Sequence, residues 1–234
     1  LEEYLPEGIP AYWVHGEGID YHPQTPWALL TVSLSPENEA FLWMDYSISP
    51  EQAITEDIIT EWTRRTEQYK FKVSLIDPLS ETIRKDNISV LEDINRIASR
   101  LKKEGIGTGS FYRTWDTHGE YGRDEVQKRL KNSLIVEKPF RNKIMKDGLP
   151  AYLPTLWISR KCKNFIEAIS SWRWEEWVNP KDQIKKEAKN KPMMKWSHFP
   201  ITLECIFKSP AFKPKRDILM QERRYHSHFV TMGR

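Results

Sequence analysis

The chain has 234 residues, 39% hydrophobic and 29% charged. That is enough for one well-buried domain, and no stretch approaches the eighteen or so apolar residues of a membrane-spanning helix. The net charge is only +3, but Lys and Arg crowd 123–146, 181–195 and 208–224, so the back half suits a polyanion such as nucleic acid. Cys162 and Cys205 are far apart and lack metal-ligand spacing, so they define no disulfide framework and a reducing cytosolic setting is expected. The start, Leu1-Glu2-Glu3-Tyr4, lacks the basic flank and apolar core of a secretory leader. The absent initiator Met suggests a piece of a longer protein.

Residues 1–10 read as a linker remnant. Tyr12 to Tyr21 reads as a strand ending in Gly18-Ile19-Asp20. Trp27 to Leu34 and Ala40 to Tyr46 follow, separated by the turn residues Ser35-Pro36-Glu37-Asn38, which predicts three hairpin-linked strands. Ser49-Pro50-Glu51 carries the signature of a helix start, with Ser49 as N-cap and Pro50 in the first turn. Ile54, Ile58, Ile59 and Trp62 then recur at helical spacing, predicting a helix to about Tyr69. Phe71 to Ile76 makes a fourth strand closed by Asp77-Pro78.

Ser89 to Glu104 is a second amphipathic helix through Val90, Leu91, Ile94, Ile97, Ala98 and Leu101. The run Gly105-Ile106-Gly107-Thr108-Gly109-Ser110 reads as its stop. It lacks the Gly-Lys-Ser/Thr ending of a phosphate loop, so ATP hydrolysis by this piece alone is not expected. Phe111 to Trp115 is a short strand candidate, and Asp116 to Arg123 a loop in which Asp116 and His118 suit a turn. A helix over 123–131 presents Arg123, Lys128 and Arg129, which suit DNA-backbone contacts or a merely solvated face. Leu134-Ile135-Val136 and Leu153 to Ile158 are further strand candidates. Lys161 to Trp177 predicts a helix whose tryptophans (Trp172, Trp174, Trp177) suit core packing. The stretch 179–195 is polar, basic and loop-like, a last helix begins at Ser197-His198, and 209–234 reads as an extended basic tail.

Two acids stand out. If strands one and four lie side by side, Asp20 and Asp77 meet at one edge of the sheet. Two converging carboxylates without an evident Lys or Arg partner repel each other, and a divalent cation relieves that repulsion. Glu17, three residues before Asp20, should face the opposite side of the strand, and Asp45 is expected to face solvent. His15 and His22 flank the first strand tip without an assigned role.

Three hairpin strands, a helix, a fourth strand and then further helices and strands are the succession of a ribonuclease-H-like α/β fold: a mixed central sheet, three antiparallel strands followed by parallel ones, flanked by helices. Within that fold the chain resembles the nuclease domain of the large terminase subunit of tailed bacteriophages, the DNA-packaging motor. The residues that carry the resemblance are Gly18-Ile19-Asp20, Leu75-Ile76-Asp77-Pro78, Leu153-Pro154-Thr155-Leu156-Trp157-Ile158 before the Cys162 helix, and Lys195-Trp196-Ser197-His198 leading to Glu204. They span Tyr12 to Phe207, with the nuclease domain set at 11–208.

The resemblance implies three acids from separate elements binding two divalent ions, Mg²⁺ or Mn²⁺, for phosphodiester hydrolysis. Asp20 and Asp77 match the first two. The family often reads Asn-His-x-x-Asp at the last helix, where this chain has Ile201 three beyond His198. Glu204 is the only acid in that helix and is the expected third ligand, with His198 as auxiliary ligand or proton-transfer group. Two such ions stabilise both the attacking and the leaving oxygen. The implied function is cleavage of concatemeric viral double-stranded DNA during packaging, in the cytoplasm of an infected bacterium. The implied partners are a small terminase subunit, a portal protein and the ATPase half of the same polypeptide. Another ribonuclease-H-like nuclease, of resolvase or transposase type, and a non-catalytic DNA-binding module are the alternatives.

Overall fold

The three hairpin-linked runs form the centre of a sheet of six described strands. In the computed structural model, residues 5, 7–83, 87–118, 121–134, 155–172 and 196–214 are described. The strands are β1 (Val14–Asp20), β2 (Trp27–Leu34), β3 (Ala40–Ile48), β4 (Phe71–Ile76), β5 (Arg113–Thr114) and β6 (Leu156–Ile158). β1, β2 and β3 pair antiparallel, while β4 joins β1, β5 joins β4 and β6 joins β3 in parallel. This is the expected mixed α/β sheet of the ribonuclease-H-like class.

Five described helices cover its two faces: α1 (Thr55–Arg65), α2 (Val90–Lys103), α3 (Tyr121–Leu134), α4 (Lys163–Ser171) and α5 (His198–Lys208). β2 is buried along its whole length, as a strand covered on both sides must be. Its alternate residues feed two cores. Ala28, Leu30, Val32 and Leu34 pack with α3, α4 and α5, whereas Trp27 and Leu29 pack with α1 and α2. Among the described residues, no helix is long and apolar enough to cross a membrane.

Local chemistry sets the boundaries. Ser89 and Glu92 form a reciprocal capping box at the start of α2, satisfying two otherwise orphaned backbone donors. Gly105, Gly107 and Gly109 all have positive φ after that helix ends, a conformation that favours glycine. The expected helix over 50–69 is shorter: Pro50–Gln52 is a 3₁₀ turn whose N-cap Ser49 makes no side-chain cap bond, and α1 runs only over Thr55–Arg65. Ile54, counted on its apolar face, is 60% exposed because it precedes the helix.

The ends of the domain also differ from the reading. Phe212, assigned to the tail, is buried against Phe207 and packs above Gly16, so the folded domain continues beyond 208. Ile9, assigned to the linker, is buried with Trp13, Phe41 and Tyr69. Leu134 belongs to α3 rather than to a strand. Ile135 and Val136, Leu153, Trp174 and Trp177, the 179–195 stretch and the tail from 215 lie outside the described residues.

Candidate functional site

Strand parity decides which acids can meet. On β1, Gly16, Gly18 and Asp20 share the face covered by α5, and Glu17 and Ile19 take the opposite face with α1 and α2. On β4, Val73 and Leu75 share the α5 side, so alternation puts Asp77, one step past the strand, on the same side as Asp20. The two strands run parallel in register Ile19↔Ile76, and the Asp77 N–H donates to Ile19 O at 2.9 Å. Both carboxylates therefore emerge at the carboxyl ends of neighbouring parallel strands.

α5 delivers the third group. A Cβ on Gly18 would sit 2.4 Å from Thr202 Cγ2, and one on Gly16 2.8 Å from Ile206 Cγ2. The bare glycine track lets the helix lie against β1 and brings His198 Nδ1 to 3.1 Å from an Asp20 carboxylate oxygen. That hydrogen bond, then the charges of Asp20 and Asp77, raise the imidazole pKa above its ordinary value. Burial raises the Asp77 carboxyl, the like charge of Asp20 adds to this, and His22 and His198 oppose it. The Asp77 side chain also accepts from the Leu79 N–H at 2.7 Å, capping the 3₁₀ turn that follows. Asp77 has an additional neighbour that the sequence left unassigned: His22, two residues beyond Asp20.

Glu204 meets a cation. Its carboxylate faces Arg123 of α3 at 3.4 Å, both side chains being largely buried. The geometry follows from the helix: six residues from His198, Glu204 has turned about 240° around the axis. The pairing is tight at the backbone too, because a Cβ on Gly122 would lie 2.1 Å from the Glu204 carbonyl oxygen. Cys205, not Glu204, follows His198 by two turns. Its thiol is strongly raised, first by burial and then by the charges of Glu204, Asp20 and Asp77. Among the described residues, no group of three or more His, Cys, Asp or Glu is close enough to hold a metal ion as it stands. His198 meets Asp20, and Asp77 feels the charges of both, while Glu204 faces Arg123.

The basic candidates divide. Lys128 is exposed on α3. Arg129 is 3% exposed and belongs to the structure: its guanidinium donates to Asn38 O, Thr155 O and Asn38 Oδ1, pairs with Glu125 and lies over the Phe207 ring. It ties the β2–β3 turn to β6 and cannot also reach a DNA phosphate. Arg123 is occupied by Glu204 in this arrangement.

Other polar residues resolve as scaffold. Asp45 does not simply face solvent; it accepts from Phe165 N at 2.7 Å and Asn164 Nδ2 at 3.2 Å, capping α4, whose own N-cap Cys162 provides no side-chain bond. Glu17 is fully buried on the opposite face, as parity requires, and accepts from Trp62 Nε1 and Ser74 Oγ. His15 is buried between Ser33 Oγ and Ala11 O. Asp116 accepts from the His118 N–H and pairs with Lys208. That is the turn role, at the end of α5 about 15 Å along the axis from His198.

This arrangement defines the class: a ribonuclease-H-like sheet with acids at the ends of its first and fourth strands. Among solved structures, the chain is similar to the large terminase of a thermophilic bacteriophage, with a TM-score of 0.54 and 14% identity over 88% of this chain and 42% of that one. It is also similar to the P22 large terminase nuclease domain, with a TM-score of 0.50 and 11% identity over 90% of this chain and 89% of that one. The large terminase nuclease of thermophilic phage G20c, solved with bound cobalt, aligns more loosely at a TM-score of 0.41 and 10% identity, over 86% of this chain and 83% of that one. The resemblance expected from the sequence is thus met in solved phage terminases, as a likeness of fold. The chain spans less than half the length of the first of these proteins. No family model and no curated protein matches the sequence.

Proposed function

We propose that this chain is the DNA-cutting domain of a phage large terminase, hydrolysing phosphodiester bonds in double-stranded DNA with the help of divalent cations. The observation that carries the reading is the convergence of Asp20 and Asp77 on one face at the ends of paired parallel strands, with His198 3.1 Å from Asp20. Among the described residues no Lys or Arg pairs with either aspartate. The neighbours instead raise the Asp77 carboxyl, by burial and by the charge of Asp20. An all-oxygen pair of this kind fits a hard cation such as Mg²⁺ or Mn²⁺, which keeps several waters of its own. Such an ion, when bound, lowers the pKa of water and offsets charge on the phosphoryl oxygens.

The chain's own residues do the rest. Asp20 and Asp77 would hold the ion, and the Asp20–His198 bond fixes the imidazole at the same edge, within reach of a proton on the attacking or leaving oxygen. Glu204 meets Arg123 through one carboxylate oxygen at 3.4 Å, and a carboxylate can pair with a guanidinium and ligate a cation at once, so Glu204 stays the third acid of the two-ion reading. Lys128 would neutralise backbone phosphate without reading sequence. Concatemeric viral DNA as substrate, and a small terminase subunit, a portal and an ATPase half as partners in an infected bacterial cytoplasm, follow from the same reading.

The test is plasmid cleavage by the purified chain in Mn²⁺, Mg²⁺ and EDTA, with Asp20→Asn, Asp77→Asn and Glu204→Gln in parallel. Metal-dependent cutting abolished in both folded Asp variants supports the reading. Unchanged cutting in either Asp variant removes it. Retained cutting in Glu204→Gln separates the two-aspartate site from the three-acid one.

A further inference from the structure

A second imidazole, that of His22, stands at the acid pair, and its place follows from the alternation of β1. Asp20 ends the strand on the face covered by α5. Tyr21 turns the other way, edge-on to Trp27 with ring centroids 4.9 Å apart, and packs on the core formed with α1 and α2. Pro23 follows His22, and a residue before proline is held to extended backbone. The alternation therefore runs on by one step, and His22 returns to the face of Asp20.

The ring is oriented as well as placed. Its Nδ1 accepts from the Gln24 backbone N–H at 3.1 Å. A backbone N–H can only donate, so Nδ1 holds the lone pair and the ring hydrogen sits on Nε2. Such a ring has no lone pair on Nε2 to give a metal ion; what it offers there is an N–H. The side chain is partly exposed, and among the described residues no group meets that Nε2. His22 lines one cleft with His198. It is near enough to Asp77 to act on its carboxyl, yet the Asp77 side chain accepts from Leu79 N instead. A donor thus stands beside the acid pair without being bonded to it.

Phosphodiester hydrolysis has a use for such a group. Charge spreads over the non-bridging oxygens of the phosphate as water attacks. An oxygen turned to the aspartates meets the cation held there. One turned to His22 meets a fixed N–H, which needs no reorganisation at the moment of reaction.

We propose that the Nε2–H of His22 donates to a non-bridging oxygen of the phosphate being cut, which makes His22 a further catalytic residue. The assignment rests on the DNA-cutting reading above.

The test uses end-labelled duplexes with one phosphorothioate of defined configuration at a single linkage, cut by the wild-type chain and by His22→Phe in Mg²⁺. Cutting at that linkage is read on a sequencing gel, beside the same duplex with an ordinary phosphate. Sulfur accepts a hydrogen bond poorly, so it removes the partner of His22 without altering the protein. At the ordinary linkage His22→Phe should cut about 100-fold more slowly, the usual loss for one such donor. His22→Gln, which keeps an N–H, should recover part of that rate. At one of the two phosphorothioates the wild type and His22→Phe should cut alike. Should His22→Phe fail to fold, His22→Ala takes its place in the same comparison. An equal loss at all three linkages, or none at any, overturns the role of His22 and leaves the nuclease reading standing. No metal-dependent cutting by the wild type at any linkage overturns both.

Discussion

His198 and Asp20, 178 positions apart, meet at 3.1 Å where α5 begins over the end of β1. Gly18 makes that meeting possible, since a methyl there would press on Thr202 Cγ2, one turn along from His198. Gly18→Ala should therefore lift α5 from the sheet, costing about 1–3 kcal/mol and separating His198 from Asp20. Urea unfolding measures the first effect and loss of plasmid cutting the second. Gly122→Ala meets backbone rather than a movable methyl, so it should cost more than Gly18→Ala. The reverse order of midpoints would contradict the packing described.

Glu17 gives a pH signature. Burial raises its pKa, the hydrogen bonds it accepts opposing this only in part. The folded chain thus keeps a proton that the unfolded chain releases at ordinary carboxylate pH. Between the unfolded and the raised folded pKa the native state binds more protons, so stability falls as pH rises. Asp45 and Asp77 shift in the same direction, which makes the difference between wild type and Glu17→Gln the informative quantity. That variant should gain on the wild type more at pH 8 than at pH 4 in urea unfolding. An equal difference at both would show that Glu17 does not carry the effect.

Two neighbouring cations on α3 should behave in opposite ways. Arg129→Ala removes the group that satisfies Asn38 O and Thr155 O and pairs with Glu125. A loss of about 3–5 kcal/mol is expected. Lys128→Ala should leave the unfolding midpoint within about 0.5 kcal/mol while reducing the salt dependence of DNA binding by about one unit of slope. Denaturation and salt-titrated anisotropy together separate scaffold from phosphate contact.

Asp45→Ala should cost about 0.5–2 kcal/mol, the usual range for loss of a helix N-cap. The cap here comes from another strand rather than from the preceding residue. Asp45→Asn, which keeps an acceptor, should recover part of it. Calorimetric midpoints for the two variants check the ranking.

Sequence reading found the strands and the two aspartates because both signals are local: hairpin turns punctuate β1 to β3, and parity alone aligns Asp20 with Asp77. It missed what depends on how helices roll. The pairing of Glu204 on α5 with Arg123 on α3 was not legible, because it is set by rotation about the two helix axes. Arg129 read as surface because nothing in its neighbourhood announces three carbonyl and amide acceptors contributed from positions 38 and 155. Asp45 was sent to solvent because the helix it caps lies 120 positions further on. Pro50 signalled a helix start and produced a single 3₁₀ turn, a weaker outcome of the same preference.

The glycines bear on motion as well as on packing. α5 meets bare backbone on one side, where the Glu204 carbonyl lies against Gly122 of α3, and side chains on the other, where Thr202 and Ile206 rest on Gly18 and Gly16. The seam with α3 therefore has nothing to give, while the seam with the sheet has methyl groups that can. A push from α3 is thus taken up on the sheet side, through Thr202, one turn from the imidazole that touches Asp20.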